Sequence, residues 1–211
     1  VEQTNSLTLD SQHATLAVEG DSIMTADLDA LSMLLRERAD VDHRIAKLIG
    51  RPAHTGHIGE YIAAAIFDIS LHETATHKGS DGVFNSGTLA GKTVNIKLYS
   101  KHAGLLDVVS SSDYSAHPDT YLVMVGGRSN ALSSKGMSAS VSIEAVYVLE
   151  SRTLLETLVE RGVKLGIATS VRAPEWKNAM VYPESNNLAL VLTAEQKASI
   201  ALFTLNLDQS S

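Results

Sequence analysis

Leu28, Leu31, Leu34 and Leu35 recur at three- and four-residue spacing, which predicts a helix with one apolar stripe. Thr25 or Asp27 could cap its start, and Gly50 with Pro52 stop it after about Ile49. The twenty-two residues before it are polar with scattered apolar positions and read as an extended arm or weak hairpin. A second helix is predicted from Gly56 to about Ile69. Two strand signals follow, Gly82–Phe84 and Thr93–Tyr99. The segment between them, residues 85–91, is rich in turn residues, so the pair reads as a hairpin.

Thr120–Val125 is a compact apolar strand ended by Gly126 and Gly127, with Arg128 in the same turn. Ser140–Leu149 is another strand. Ser151–Glu160 follows as a helix, with Leu154, Leu155 and Leu158 along one side. Lys164–Val171 reads as a short strand, and Ala194–Phe203 as a final helix capped by Thr193. Helix, hairpin, strand, strand, helix is a mixed α/β order. No internal repeat and no low-complexity tract interrupts it.

The chain of 211 residues has room for one domain and a small appendage. The division expected is an N-terminal arm and helix, residues 1–50, packed on an α/β core of residues 51–211. Hydrophobic residues at 44% exclude a disordered chain. No apolar run reaches membrane-span length, and the first residues lack the pattern of a signal peptide. With no cysteine there is no disulfide, thiolate zinc site or cysteine nucleophile. The cytoplasm is the default setting. A net charge of -7 argues against a strongly basic nucleic-acid binder. The distribution qualifies this: residues 1–35 carry six acids and no Lys or Arg, whereas residues 36–101 carry nine bases against seven acids.

Between Ile58 and Phe67 the one side chain charged at neutral pH is Glu60, and Ala63, Ala64 and Phe67 share its helical face. A carboxylate there needs water at the rim, a partner, a metal or a proton. The hairpin supplies partners. Asp81 stands where its first strand begins. In the second strand Val94, Ile96 and Leu98 alternate with Asn95, Lys97 and Tyr99, so Asn95 and Lys97 point the same way.

The run Gly59-Glu60, then Lys78-Gly79-Ser80-Asp81-Gly82, then Gly91-Lys92-Thr93-Val94-Asn95-Ile96-Lys97 resembles the core of the PD-(D/E)XK nuclease superfamily. There a helix carries a Glu and a hairpin carries an Asp and an acid-x-Lys element. The resemblance covers residues 56–99. It implies a restriction-endonuclease-like α/β fold, a mixed central sheet flanked by helices, here with a helical N-terminal extension. It also implies metal-dependent phosphodiester hydrolysis of DNA, an endonuclease activity using weakly bound Mg or Mn. By resemblance Asp81 is the main metal ligand, Glu60 and Asn95 are further ligands, and Lys97 is the catalytic lysine. DNA is the expected partner, no membrane is implied, and a homodimer is left open.

The acid before the lysine is replaced by Asn95. An amide oxygen can ligate a cation but brings no charge. The alternative is therefore a catalytically weakened or inactive nuclease-like module that binds nucleic acid or a partner protein.

Other motifs carry less. Three residues separate Gly87 from Gly91 where a P-loop needs four, and a strand follows instead of a helix. His54 and His57 lack the further ligands of a zinc site. His57, His77 or His102 could stand near a phosphate. Trp176 reads as a core or interface residue rather than a stacking platform.

Overall fold

A computed structural model of the chain describes residues 7–73, 79–99, 105–109, 111–126, 141–166 and 169–204. The chain divides into two compact units, Val1–Ala53 and His54–Ser211.

The first unit is built on one helix, α1 (Leu7–Ile49), of 43 residues and so about 65 Å long. The arm expected over residues 1–22 is thus helical from Leu7, and Thr25 and Asp27 lie inside the helix instead of capping it. The physical reason lies in the breakers: no proline precedes Pro52, so nothing stops the helix on the N-terminal side of the leucine stripe. The stop is where the sequence puts it. Gly50 adopts a left-handed φ of 70°, its N–H donates to the Ala46 carbonyl at 2.9 Å, and Pro52 prevents continuation.

The second unit opens with α2 (Thr55–Phe67). Asp68 follows in the left-handed region at φ 54° and turns the chain into β1 (Ile69–Leu71). Next come β2 (Gly82–Phe84), β3 (Thr93–Tyr99), β4 (Leu105–Val109) and β5 (Thr120–Val125). They are followed by β6 (Ala145–Glu150), α3 (Ser151–Glu160), β7 (Thr169–Arg172), α4 (Ala173–Lys177), β8 (Met180–Tyr182) and α5 (Ala194–Ala201). Six strands form a mixed sheet in the order β1-β2-β3-β5-β6-β8, and β4 pairs with β7 separately. β3 and β5 run parallel, while the other described neighbours are antiparallel.

Helices cover both faces of the sheet. On one face Ile62, Ala63 and Ile66 of α2 and Ile200 of α5 pack on Val94, Ile96, Leu122 and Val148. On the other, Leu154, Leu155 and Leu158 of α3 and Trp176 of α4 pack on Tyr121, Val123, Tyr147 and Leu149. β5 is buried along its whole length, which is why it reads as a continuous apolar run rather than an alternating one. The two cores are the two sides of one sheet.

The predicted hairpin, β5 and α3 have the expected bounds, and Thr193 caps α5 by accepting from the Gln196 N–H at 3.2 Å. Other expectations shift. The strand expected at Ser140–Leu149 runs over Ala145–Glu150, because Ser142 and Ile143 are buried in irregular chain, with the Ile143 N–H bonded to the Phe203 carbonyl. The strand expected at Lys164–Val171 occupies Thr169–Arg172. Trp176 is buried edge-on against Tyr147, with ring centroids 5.2 Å apart, so it is a core residue. Gly127, Arg128, His77, His102 and Lys78 lie outside the described residues. Among the described residues no helix is long and apolar enough to cross a membrane.

Candidate functional site

Asp81 immediately precedes β2. The Asp81 N–H donates at 2.8 Å to the carbonyl of Val94, the residue that Gly82 already faces, so the regular ladder stops there. The Asp81 carboxylate then takes the place of a further strand residue. Its Oδ2 accepts from the Ile96 N–H at 2.7 Å. β3 continues to Tyr99, three residues past that bond, and β2 has no residues opposite them.

The register brings several side chains into one line across the sheet. Leu71 faces Gly82, so the next position aligns His72 with Asp81; on the β3 side the pairing ends at Gly82 and Val94, and the Asp81 carboxylate reaches the N–H of Ile96, the residue after Asn95. The His72 N–H donates to the Asp81 carbonyl at 2.9 Å, as that alignment requires. Asn95 in turn faces Tyr121, and Tyr121 faces Leu149. Directly opposed residues share a face. Leu71, Phe84, Val94 and Ile96 belong to the core under α2, so Asn95, Tyr121 and Leu149 lie on the opposite face, as does Lys97.

The Asp81 carboxylate is thus held next to Asn95 through its bond to Ile96, and both residues are half-buried. The Asn95 Oδ1 is buried and, among the described residues, accepts no hydrogen bond. A buried carbonyl-type oxygen without a donor, beside a carboxylate, is an oxygen donor set suited to a hard divalent cation. Lys97 stands two residues on along the same face. Lys97 is half-buried as a residue. Glu60 arrives from the other layer. It follows Gly59, the point of closest approach of α2 to β3: a Cβ on Gly59 would lie 2.6 Å from the Cβ of Leu98. Glu60 thus follows the point where α2 meets β3, on the α2 side, and the structure does not bring it onto the face that Asn95 and Lys97 share. Among the described residues no three His, Cys, Asp or Glu side chains group together.

Two neighbours of Asp81 escaped the sequence reading. The His72 ring meets the Ser80 hydroxyl at 3.2 Å, and that hydroxyl donates to the Gly82 carbonyl at 3.1 Å. Gly82 itself is a steric requirement, since a Cβ there would lie 2.6 Å from the Ser70 carbonyl oxygen. The signal for His72 was weak because β1 is only three residues long and shows no usable alternation.

At the far end of the line Tyr121 is buried, which pushes its hydroxyl up to about 12. It remains a neutral donor. The His117 Nε2 lies 3.1 Å from the Ser111 carbonyl, which can only accept, so Nδ1 receives the Tyr121 hydroxyl hydrogen at 2.6 Å. The pair is a structural bond. Next to it, Lys92, Tyr114, His117, Asp119, Ser151 and Arg152 border a cavity of about 500 Å³. Asp119 there accepts from the Thr93 N–H and hydroxyl, each at 2.8 Å. The Thr93 backbone bond leads in holding its carboxyl below the ordinary value; the hydroxyl and Lys92 assist, and burial opposes.

His54 and His57 approach each other at 5.7 Å between ring centroids, tilted. The turn at residues 87–89 leads directly into β3 through Lys92 and Thr93, so no helix follows it to hold a phosphate. No protein-family model matches this chain, and no curated protein matches it significantly.

Proposed function

We propose that the second unit is a restriction-endonuclease-like domain and that the Asp81–Asn95 pair belongs to a metal-dependent phosphodiester-hydrolysing site of PD-(D/E)XK type acting on DNA. The observation that carries this reading is the Asp81 carboxylate held on the N–H of Ile96, next to Asn95, whose Oδ1 is buried and has no donor among the described residues. The order of elements supports it: a helix with Glu60, a hairpin with Asp81 and Lys97, then a parallel partner strand in a mixed sheet.

Asp81 and Asn95 would hold a magnesium or manganese ion weakly; Glu60 is a further carboxylate by the resemblance alone, since its helix packs on the face opposite Asn95. Such an ion polarises a phosphate and lowers the pKa of an attacking water. Lys97 donates to that water and to the charge that develops on the phosphate oxygens. The Ile96 N–H holds the Asp81 carboxylate in place from the backbone, so the ligand is oriented before any ion arrives. A cytoplasmic setting, where double-stranded DNA and millimolar magnesium are at hand, goes with this reading.

A second reading has its own support. Two carboxylates and an amide carry less charge than the full pattern, and no three acidic or histidine side chains group among the described residues. A module that binds nucleic acid or a partner protein without cutting would have this composition.

Plasmid cleavage with magnesium separates the two. We expect Asn95→Asp to cut faster than wild type, because a second negative charge about 4 Å from a divalent ion is attractive by several kcal/mol before desolvation. Asn95→Asp/Lys97→Ala should lose the gain. Equal inactivity of all three proteins, with no magnesium bound by any, would leave the binding-module reading.

A further inference from the structure

Among the described residues of its own unit the apolar stripe of α1 has no partner. Leu28, Leu31, Leu34, Leu35, Val41 and Leu48 are 48–71% exposed. A helix of this length with an uncovered leucine face is not stable in water by propensity alone. From Leu31 onward the stripe keeps heptad spacing: Leu31, Leu34, Arg38, Val41, Ile45 and Leu48 fall at alternating three- and four-residue steps. Over residues 28–49 this spans about 33 Å of helix.

We infer that α1 pairs with α1 of a second copy of this chain, in antiparallel orientation. The charges flanking the stripe select both the occupant and the direction. In a parallel pair Glu37 of one chain would meet Asp42 of the other, and Arg38 would face Arg38 across the seam; both contacts are repulsive. In an antiparallel pair Leu31 lies opposite Leu48, Leu34 opposite Ile45 and Arg38 opposite Val41, each contact occurring twice by symmetry. Glu37 then lies beside Arg44 of the second chain, again twice. Arg38 is accommodated because its guanidinium already leans out to Asp42 of its own helix, at 3.6 Å, so its stem covers Val41 while its charge stays in water. The inference is independent of the site on the second unit.

The absence of native cysteine makes the test clean. The full chain is expected to run as twice its 22.5 kDa mass by light scattering. Leu31→Cys/Leu48→Cys should form a disulfide-linked dimer on mild oxidation, and Leu31→Cys alone should not. Glu37→Arg should weaken the dimer on the order of tenfold, from two lost flanking pairs that become repulsive. Glu37→Arg/Arg44→Glu, which swaps each pair, should restore it. A chain that is monomeric at about 100 μM would overturn the inference and leave the stripe to another occupant. So would a dimer that cross-links through Leu31→Cys alone, or one that Glu37→Arg tightens, since both are marks of a parallel pair.

Discussion

The carboxylate of Asp81 accepts a hydrogen bond from the backbone N–H of Ile96 at 2.7 Å, one strand away and one residue past Asn95. A side chain thereby finishes a ladder that the backbone of β2 abandons at Gly82. The same bond fixes the orientation of the group proposed to hold the metal.

Asp81→Ala and Asp81→Asn should therefore part company. The alanine variant leaves the Ile96 N–H without its acceptor and is expected to lose about 1–3 kcal/mol of stability together with magnesium binding. The asparagine variant keeps an oxygen for Ile96 and should stay within about 1 kcal/mol of wild type while losing the ion. Urea unfolding and titration calorimetry with manganese read the two effects separately. Unchanged metal binding in both variants would remove Asp81 as a ligand.

Gly59→Ala is expected to destabilise, although alanine is the better helix former by about 1 kcal/mol. The added Cβ would lie 2.6 Å from Leu98 Cβ, an atom anchored to the strand, so helix and strand must separate. Overpacking of this kind costs about 1–3 kcal/mol. Leu98→Ala leaves a Cβ in place but removes the rest of the side chain that crowds the site, so it should recover only part of the loss. Thermal melts of the two single variants and the double variant measure the coupling.

Asp119 makes a pH-dependent contribution. Its carboxyl is held below the ordinary value of 3.8, chiefly by the Thr93 N–H. A group lowered in the folded state adds stability that is complete above its unfolded value and disappears as pH falls through the folded one. Asp119→Asn should thus melt below wild type by a constant margin from about pH 5 upward. That margin should shrink as the pH falls below 3.8. A margin that is the same at pH 7 and pH 3 would show that the charge is irrelevant there.

Nucleic-acid binding, which both readings of the site allow, should weaken steeply with salt. The nine bases of residues 36–101 are the candidate phosphate contacts that the charge distribution singles out. If three of them engage, affinity falls about 40-fold between 50 and 200 mM salt. Fluorescence anisotropy with a labelled duplex gives the slope, and a flat response would point to a different surface.

How far the fold was legible depended on segment length. The β3 alternation of Val94, Ile96 and Leu98 with Asn95 and Lys97 states its own geometry, and the uninterrupted apolar run of β5 states burial on both faces. β1 and β8 are three residues each, below the length at which periodicity means anything. Without β1 the alignment of His72 with Asp81 could not be foreseen. The start of α1 was missed for the opposite reason: the apolar spacing that marks a helix by its buried face is weak before Leu28, and only the lack of breakers speaks there. In the candidate site, Asp81 and Asn95 were legible as hairpin neighbours, because pairing follows from the turn. The layer from which Glu60 arrives is set by the contact of Gly59 with Leu98, which no local pattern encodes.

Both margins of the central sheet are three-residue strands, and β8 is followed at once by Pro183, which has no N–H to offer. Sheet margins are the usual route by which one molecule recruits another into cross-strand fibrils, and short, proline-stopped margins offer little template for it. The protein should therefore tolerate concentration without fibre formation, and a dye that reports cross-β structure should stay dark in samples whose molecules nonetheless associate.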